Sequence, residues 1–169
     1  PLAGKVAGVE LAQNLLAPMQ KQGLSLFLFG GKPGVAQRAA QALHAKYPEL
    51  AVCGVADGYF DDEARRVSLI AQSGADVVFV CLGAPKQERY MFEHQGLTQG
   101  VMVGVGAGFD YYAGTIRRAP MWMQKLSLEW LYRLMQDPKR LFKRYFVTNF
   151  KFLRLTLGRG KKSRGEKKS

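Results

Sequence analysis

Four short apolar runs, each closed by glycine or a small polar turn and each followed by an amphipathic or helix-forming stretch, constrain this chain more than any other feature. The first is Ser25-Leu-Phe-Leu-Phe-Gly-Gly31, the second Ala51-Val-Cys-Gly-Val-Ala56, the third Asp76-Val-Val-Phe-Val-Cys-Leu82 and the fourth Gly100-Val-Met-Val-Gly-Val105. Runs without polar alternation belong to strands covered on both faces, and strands alternating with helices form a parallel sheet. Helices are expected over 9–22 and 34–47. Another starts at Asp61 or Asp62 as the cap, has Glu63 in its acidic first turn and runs to about Ser73. A further helix leads from the 83–88 turn toward His94. The predicted class is α/β: a Rossmann-like parallel sheet with helices on both faces over residues 1–115.

Ligands of open parallel sheets bind beyond the carboxyl ends of the strands. Here those ends read Gly30-Gly31-Lys32, Asp57-Gly58-Tyr59-Phe60, Gly83-Ala84-Pro85-Lys86-Gln87-Glu88 and Gly104-Val-Gly106-Ala-Gly108-Phe-Asp110. Glycine permits close backbone approach, and helix N-termini present unpaired N–H groups to phosphate. Tyr59 or Phe60 can stack on a base, while Gln87, Glu88 and Asp110 can meet ring edges or hydroxyls. Any one of these glycines is accounted for by a tight turn. Four such ends together point to a nucleotide-type pocket.

The standard fingerprints are absent. Gly104-Val-Gly106-Ala-Gly108 has the wrong third spacing for G-x-G-x-x-G, and no helix-opening pattern is seen directly after it. Gly30 to Gly34 lacks the G-K-[ST] of a P-loop. His44 and His94 stand alone, without metal-ligand spacing, and His44 reads as a helix-surface residue. There is no Asp-x-Asp pair to hold a divalent ion on a pyrophosphate, so no metal is expected. A phosphorylated leaving group would have to be stabilised by Lys, Arg and backbone N–H groups.

Those cations are concentrated at one end. Residues 117–169 hold sixteen of the twenty-five Lys and Arg but three of the thirteen acids, leaving a net of −1 before residue 117 and +13 from it onward. From Pro138 the block sorts by helical angle. Leu141, Phe142, Tyr145, Phe146, Phe150, Leu153 and Leu157 share one side, and Arg140, Lys143, Arg144, Lys151 and Arg154 the other. That pattern suits a helix lying in the headgroup layer of an anionic membrane; the plainer reading is a helix packed on the domain with a solvated basic face. Residues 116–157 therefore read as a basic amphipathic helical appendage that binds membrane, and 158–169 as a disordered basic tail. Trp122, Leu126 and Trp130 fall at i, i+4 and i+8, extended by Leu131 and Leu134, a stripe expected to pack its helix on the domain. No apolar run approaches the roughly 20 residues of a spanning helix, and no signal peptide is visible. Cys53 and Cys81 lie within apolar runs and read as buried thiols in a reducing setting. Beginning at Pro1 without Met, the chain reads as a fragment or a trimmed protein.

Asp57-Gly-Tyr-Phe60, Gly83-Ala-Pro-Lys-Gln-Glu88, Gly104-Val-Gly-Ala-Gly-Phe-Asp110, Ala113-Gly114 and Arg118-Ala-Pro120 follow one another in the order seen in the WecG/TagA/CpsF glycosyltransferases. Leu128-Glu-Trp-Leu-Tyr-Arg-Leu134 and Asp137-Pro-Lys-Arg140 continue it. The resemblance spans about residues 5–152, and the combination is specific although each piece is weak. It implies a metal-independent, inverting transferase that takes N-acetylmannosamine, or its uronic acid, from UDP to a polyprenyl-diphosphate-linked N-acetylglucosamine. Such an enzyme works peripherally on the cytoplasmic face of the membrane in cell-surface polysaccharide synthesis. No cofactor is implied beyond the UDP-sugar donor, and a homo-oligomer is left open.

On this resemblance Gln87 and Arg118 take catalytic roles. Substrate binding falls to Lys5, Gly30, Gly31, Asp57, Tyr59, Phe60, Gly83, Lys86, Glu88, Gly104, Gly106, Asp110, Arg133, Arg140, Lys143 and Arg144. Arg117 and Arg118 either contact diphosphate or are solvated, and the appendage cations either approach the diphosphates or meet lipid headgroups alone. The departure is at the front, where Gly4-Lys5-Val-Ala-Gly8 resembles the family's R-V-x-G with Lys5 in place of arginine. The family's further N-terminal region, with the aspartate proposed as base, lies before this point. Two other classes remain: a basic nucleic-acid-binding module, opposed by the segregation of charge and apolar surface into two faces, and a nicotinamide-dependent oxidoreductase, opposed by the failed fingerprint. No nucleic-acid partner is therefore expected.

Overall fold

The computed structural model of the chain describes residues 8–59, 62–117, 119–126, 128–136, 138 and 141–142. The chain divides into two compact units, Pro1–Arg117 and Arg118–Ser169. In the first unit the elements run α1 Gly8–Gln22, β1 Ser25–Gly30, α2 Val35–Lys46, β2 Ala51–Ala56, α3 Glu63–Gln72, β3 Val77–Cys81, α4 Lys86–Glu93, β4 Val101–Gly104 and α5 Gly108–Tyr112. The second contains α6 Met121–Lys125 and α7 Glu129–Gln136.

The four strands form one parallel sheet in the order β2-β1-β3-β4. The apolar runs are continuous because successive side chains enter two different cores. Leu26, Leu28, Phe79 and Cys81 join Ala12, Leu16 and Met19 of α1 and Val35, Ala36, Ala39 and Leu43 of α2 on one face. Phe27, Phe29, Val78 and Val80 meet Ile70 of α3 and Tyr90 of α4 on the other. Phe29 and Phe79 are wholly buried; a side chain of that kind contributes about 1.5–3 kcal/mol by leaving water. Gly54 interrupts β2 because a Cβ there would lie 2.5 Å from the Phe27 ring. The ladder shifts register beside it, between Leu26 and Phe27.

At the amino end of the sheet, Asp76 fastens β3 to β1. Its carboxylate accepts from the Ser25 N–H at 2.8 Å and the Ser25 hydroxyl at 2.7 Å. The hydroxyl bond, then the N–H bond, hold this carboxyl below the usual aspartate range. α3 starts as its sequence indicates: Asp62 is the cap, accepting from Arg65 N–H at 2.9 Å.

Three expectations are corrected. A helix does follow the third glycine of the 104–108 segment: α5 opens at Gly108 with no side-chain cap, so the residue types that advertise a helix start are missing. Cys53 is exposed, on a strand that among the described residues pairs with β1 alone. The Trp122–Leu126–Trp130 stripe does not exist as one helical face. The Leu128 N–H closes onto the Met123 carbonyl at 2.8 Å, ending α6 after five residues, and α7 restarts at Glu129. Trp122, Leu126 and Trp130 are 60%, 63% and 48% exposed. Of the amphipathic pattern predicted from Pro138 onward, all but residues 138, 141 and 142 lies outside the described residues.

Candidate functional site

The strand order reverses direction between β1 and β3. From β1 the chain passes through α2 to β2 on one side, and from β3 through α4 to β4 on the other. Helices departing on opposite faces leave a crevice beyond the carboxyl ends of those two central strands, the usual ligand position in such sheets.

Glycine lets three loops close together there. Gly30 has φ 118°, and a Cβ on it would run into the Cys81 carbonyl. Gly31 N–H donates to that carbonyl at 2.8 Å, and Gly58 N–H donates to the Gly31 carbonyl at 2.9 Å. A Cβ on Gly58 would lie 2.8 Å from Leu82 Cδ2. The ends of β1, β2 and β3 are thus tied through backbone hydrogen bonds. Asp57 shapes the second end by accepting from Tyr59 N–H at 3.0 Å. The Tyr59 side chain, 66% exposed, is presented at the rim.

Gln87 has another position than its sequence context indicated. It is 8% exposed. Its Oε1 accepts from Gly106 N–H at 3.0 Å, and its Nε2 donates to Glu88 Oε1 at 3.0 Å. The carbonyl of Gly106 is held as well, by the Cys81 thiol at 2.7 Å. Gly106, with φ 58°, is therefore gripped at both its polar atoms. Gly104 serves this arrangement: a Cβ there would meet Gln87 Nε2 at 2.8 Å and Met91 Cε at 3.2 Å. Its open flank is filled by side chains.

Of the predicted site residues, Gly30, Gly31, Asp57, Tyr59, Gly83, Lys86, Gln87, Glu88, Gly104, Gly106 and Asp110 lie on strands, loops or helix starts at the carboxyl edge. Lys86 and Glu88 are exposed on the first turn of α4. Asp110 sits in the first turn of α5, where Thr115 Oγ1 donates to its carbonyl at 2.9 Å and to its carboxylate at 3.3 Å. Arg133 is half-buried on α7, in the second unit. Lys5, Phe60, Arg118, Arg140, Lys143 and Arg144 fall outside the described residues. Sequence reasoning placed Gly58 at a strand end without a role of its own, and missed Cys81 as part of this edge. Both belong to unremarkable strand ends, and only the sheet order brings their contacts about. No group of three or more His, Cys, Asp or Glu able to hold a metal ion occurs among the described residues.

A parallel sheet with glycine-bonded loops at a strand-order reversal is a Rossmann-like arrangement. Residues 1–166 match the glycosyl transferase WecG/TagA/CpsF family, and the chain belongs to that family. It is 36% identical over 140 residues to an N-acetylglucosaminyldiphosphoundecaprenol N-acetyl-beta-D-mannosaminyltransferase of Bacillus subtilis (strain 168). A protein of the same name from Bacillus spizizenii (strain ATCC 23059 / NRRL B-14472 / W23) is 34% identical over 141 residues. The alignments cover 82% and 83% of this chain and 55% of each relative, so the chain spans about half their length.

Proposed function

We propose that this chain is the nucleotide-sugar-binding portion of a membrane-associated, inverting glycosyltransferase. The reaction moves N-acetylmannosamine, or its uronic acid, from UDP onto a polyprenyl-diphosphate-linked N-acetylglucosamine. The observation that carries the reading is the set of bonded glycine turns at the β1/β3 reversal, combined with family membership. The relatives' names supply the acceptor and the transferred sugar.

In an inverting transfer the acceptor hydroxyl attacks the anomeric carbon as the bond to UDP breaks. Negative charge then develops on the departing diphosphate, and N–H groups and cations aimed at it lower the barrier. Lys86 and backbone N–H groups of the 83–86 turn are assigned that work, without a metal. Tyr59 is assigned to the uracil face. Gln87 acts through Gly106, fixing the loop against which the donor lies. The attacking hydroxyl must lose its proton to a base. On the family resemblance, the base is assigned to the portion of the relatives that this chain does not span.

Membrane attachment is assigned to the second unit on its charge and on its exposed apolar residues: Met121, Trp122, Leu126, Trp130, Met135 and Phe142 are all 48% exposed or more. No helix among the described residues is long and apolar enough to cross a membrane, and a surface location on the cytoplasmic leaflet is proposed. Neither rival class gains support from the family match, which is to glycosyl transferases.

Titration calorimetry of UDP against the chain in EDTA tests the binding half of this reading. Saturable binding that added magnesium does not strengthen is expected. A strict requirement for magnesium or manganese would overturn the metal-independent mechanism.

A further inference from the structure

β3 ends at Cys81, and both sides of the crevice are bonded to this residue. In a parallel ladder, alternate residues direct both backbone polar groups to the same neighbour. Val80 turns to β4, where its carbonyl accepts from Val105 N–H at 2.9 Å. Cys81 turns to β1: it pairs with Gly30, and its carbonyl accepts from Gly31 N–H at 2.8 Å. The Gly31 carbonyl accepts in turn from Gly58 N–H at 2.9 Å. The Cys81 carbonyl is thus committed to the β1 and β2 ends. Toward the β4 end the residue acts through its side chain, whose thiol donates to the Gly106 carbonyl at 2.7 Å.

The fold accounts for that reach. Cys81 is buried in the same core as Val105 and Phe109 of α5. Beyond Val105 the chain turns at Gly106, with φ 58°, and enters α5 on that face. A side chain of β3 on this face therefore meets the Gly106 carbonyl. The place takes a small side chain that carries a donor, and cysteine is both. The N–H of Gly106 belongs to Gln87 Oε1 at 3.0 Å, so this loop residue is fixed from β3 and from α4 at once. We propose that Cys81 is a positioning residue for the crevice. Its carbonyl holds the Gly31 and Gly58 turns and its thiol the 104–108 loop, so the spacing of the two sides that a nucleoside diphosphate must fit is carried through this residue.

A cysteine that only fills the core and one that works as a donor respond oppositely to the same two substitutions. For a filler, alanine is the milder change, and serine, which places a hydroxyl among apolar neighbours, the harsher. For a donor the order inverts, because the serine hydroxyl still donates, on a shorter bond to Cβ, and the alanine methyl does not. The disturbance is also local. Gly31 and Gly58 are tied through backbone, which neither substitution removes, so its effect falls on the Gly106 side. The consequence for ligand binding rests on the reading that the crevice takes UDP; the bond itself does not.

Infrared difference spectra, amide exchange by NMR and UDP titration of the parent, Cys81→Ala and Cys81→Ser test it. The S–H band that Cys81→Ala removes should lie at lower frequency than the band that Cys53→Ala removes, because the Cys53 thiol stands 3.5 Å from its acceptor, the Leu26 carbonyl. A Cys81 band at or above the Cys53 band would overturn the bond. The Gly106 amide should exchange about two- to tenfold faster in the alanine variant, the factor that a net hydrogen bond is worth, and near the parent rate in the serine variant. Gly31 and Gly58 should be unchanged in both. UDP should bind the alanine variant more weakly by a similar factor, with affinity restored by serine. A serine variant worse than alanine at Gly106 and in affinity would make Cys81 a core filler and overturn the proposal. Should the alanine variant unfold, Cys81→Ser removes the same S–H band, and its Gly106 rate and affinity must stay near those of the parent. If the parent binds UDP and the alanine variant binds it equally well, the positioning role fails while the proposed function stands. A parent that does not bind UDP overturns both.

Discussion

Replacing Gln87 by alanine is the sharpest perturbation of the candidate site. The side chain is 8% exposed, its oxygen accepts from Gly106 N–H, and its nitrogen donates to Glu88. Truncation leaves the Gly106 N–H without its acceptor, which costs about 1–3 kcal/mol where water does not replace the lost partner. The Glu88 bond adds little, since Glu88 is exposed and re-solvates. In a unit of this size such a loss lowers the unfolding midpoint by on the order of 5–15 °C. Gln87→Glu separates bonding from volume: its carboxylate still accepts from Gly106 but stands against Glu88, so it should lose less than alanine at acidic pH and more at neutral pH. Urea unfolding followed by far-UV circular dichroism gives the stability, and exchange at the Gly106 amide reports the bond itself. UDP affinity should fall for both variants because the loop is no longer held. An alanine variant as stable as the parent, with Gly106 still protected, would refute the assignment of this amide to the loop.

Three further outcomes follow from other residues. Asp76 has its carboxyl lowered by Ser25, so this contact stabilises the fold above the unfolded aspartate value and is lost as pH falls through the lowered folded value. Ser25→Ala should therefore flatten the acid limb of stability against pH, and an unchanged limb would show that Asp76 is not a determinant. Tyr59→Ala should weaken UDP binding by about 1–3 kcal/mol if the ring stacks on the base without altering thermal stability; unchanged affinity removes Tyr59 from the site. Replacing Phe142, Phe146 and Phe150 by Ser should release the protein from anionic vesicles at constant net charge, and undiminished co-sedimentation would mean that these rings are packed within the protein.

Much of the fold was legible because its signals are local. The 25–31 and 76–82 runs alternate between two apolar cores, which leaves no polar position to interrupt them. The cap at Asp62 is a one-residue signature. The missed features depend on distant partners. Cys53 resembles Cys81 in sequence, yet among the described residues one lies on a strand with a single neighbour and the other on a strand with two, and strand order is not a local property. α5 opens on Gly108 without a capping side chain. The 122–130 stripe failed because a single backbone closure, Leu128 onto Met123, resets the helical phase. For the site, the glycine-rich strand ends identified the carboxyl edge. Gln87 seemed ligand-facing from its place at a helix start; its neighbour across the fold, Gly106, is nineteen positions away.

The central claim is that the crevice at the β1/β3 reversal binds UDP, and an NMR titration of the isotopically labelled chain with UDP tests it most directly. The account predicts saturable shifts, in EDTA, at the amides of Gly30, Gly31, Tyr59, Gly83 and Gly106, with Ser25 and Asp76 at the opposite end of the sheet unmoved. Shifts confined to the amino end of the strands or to α6 and α7, or no saturable shifts at all, would contradict it.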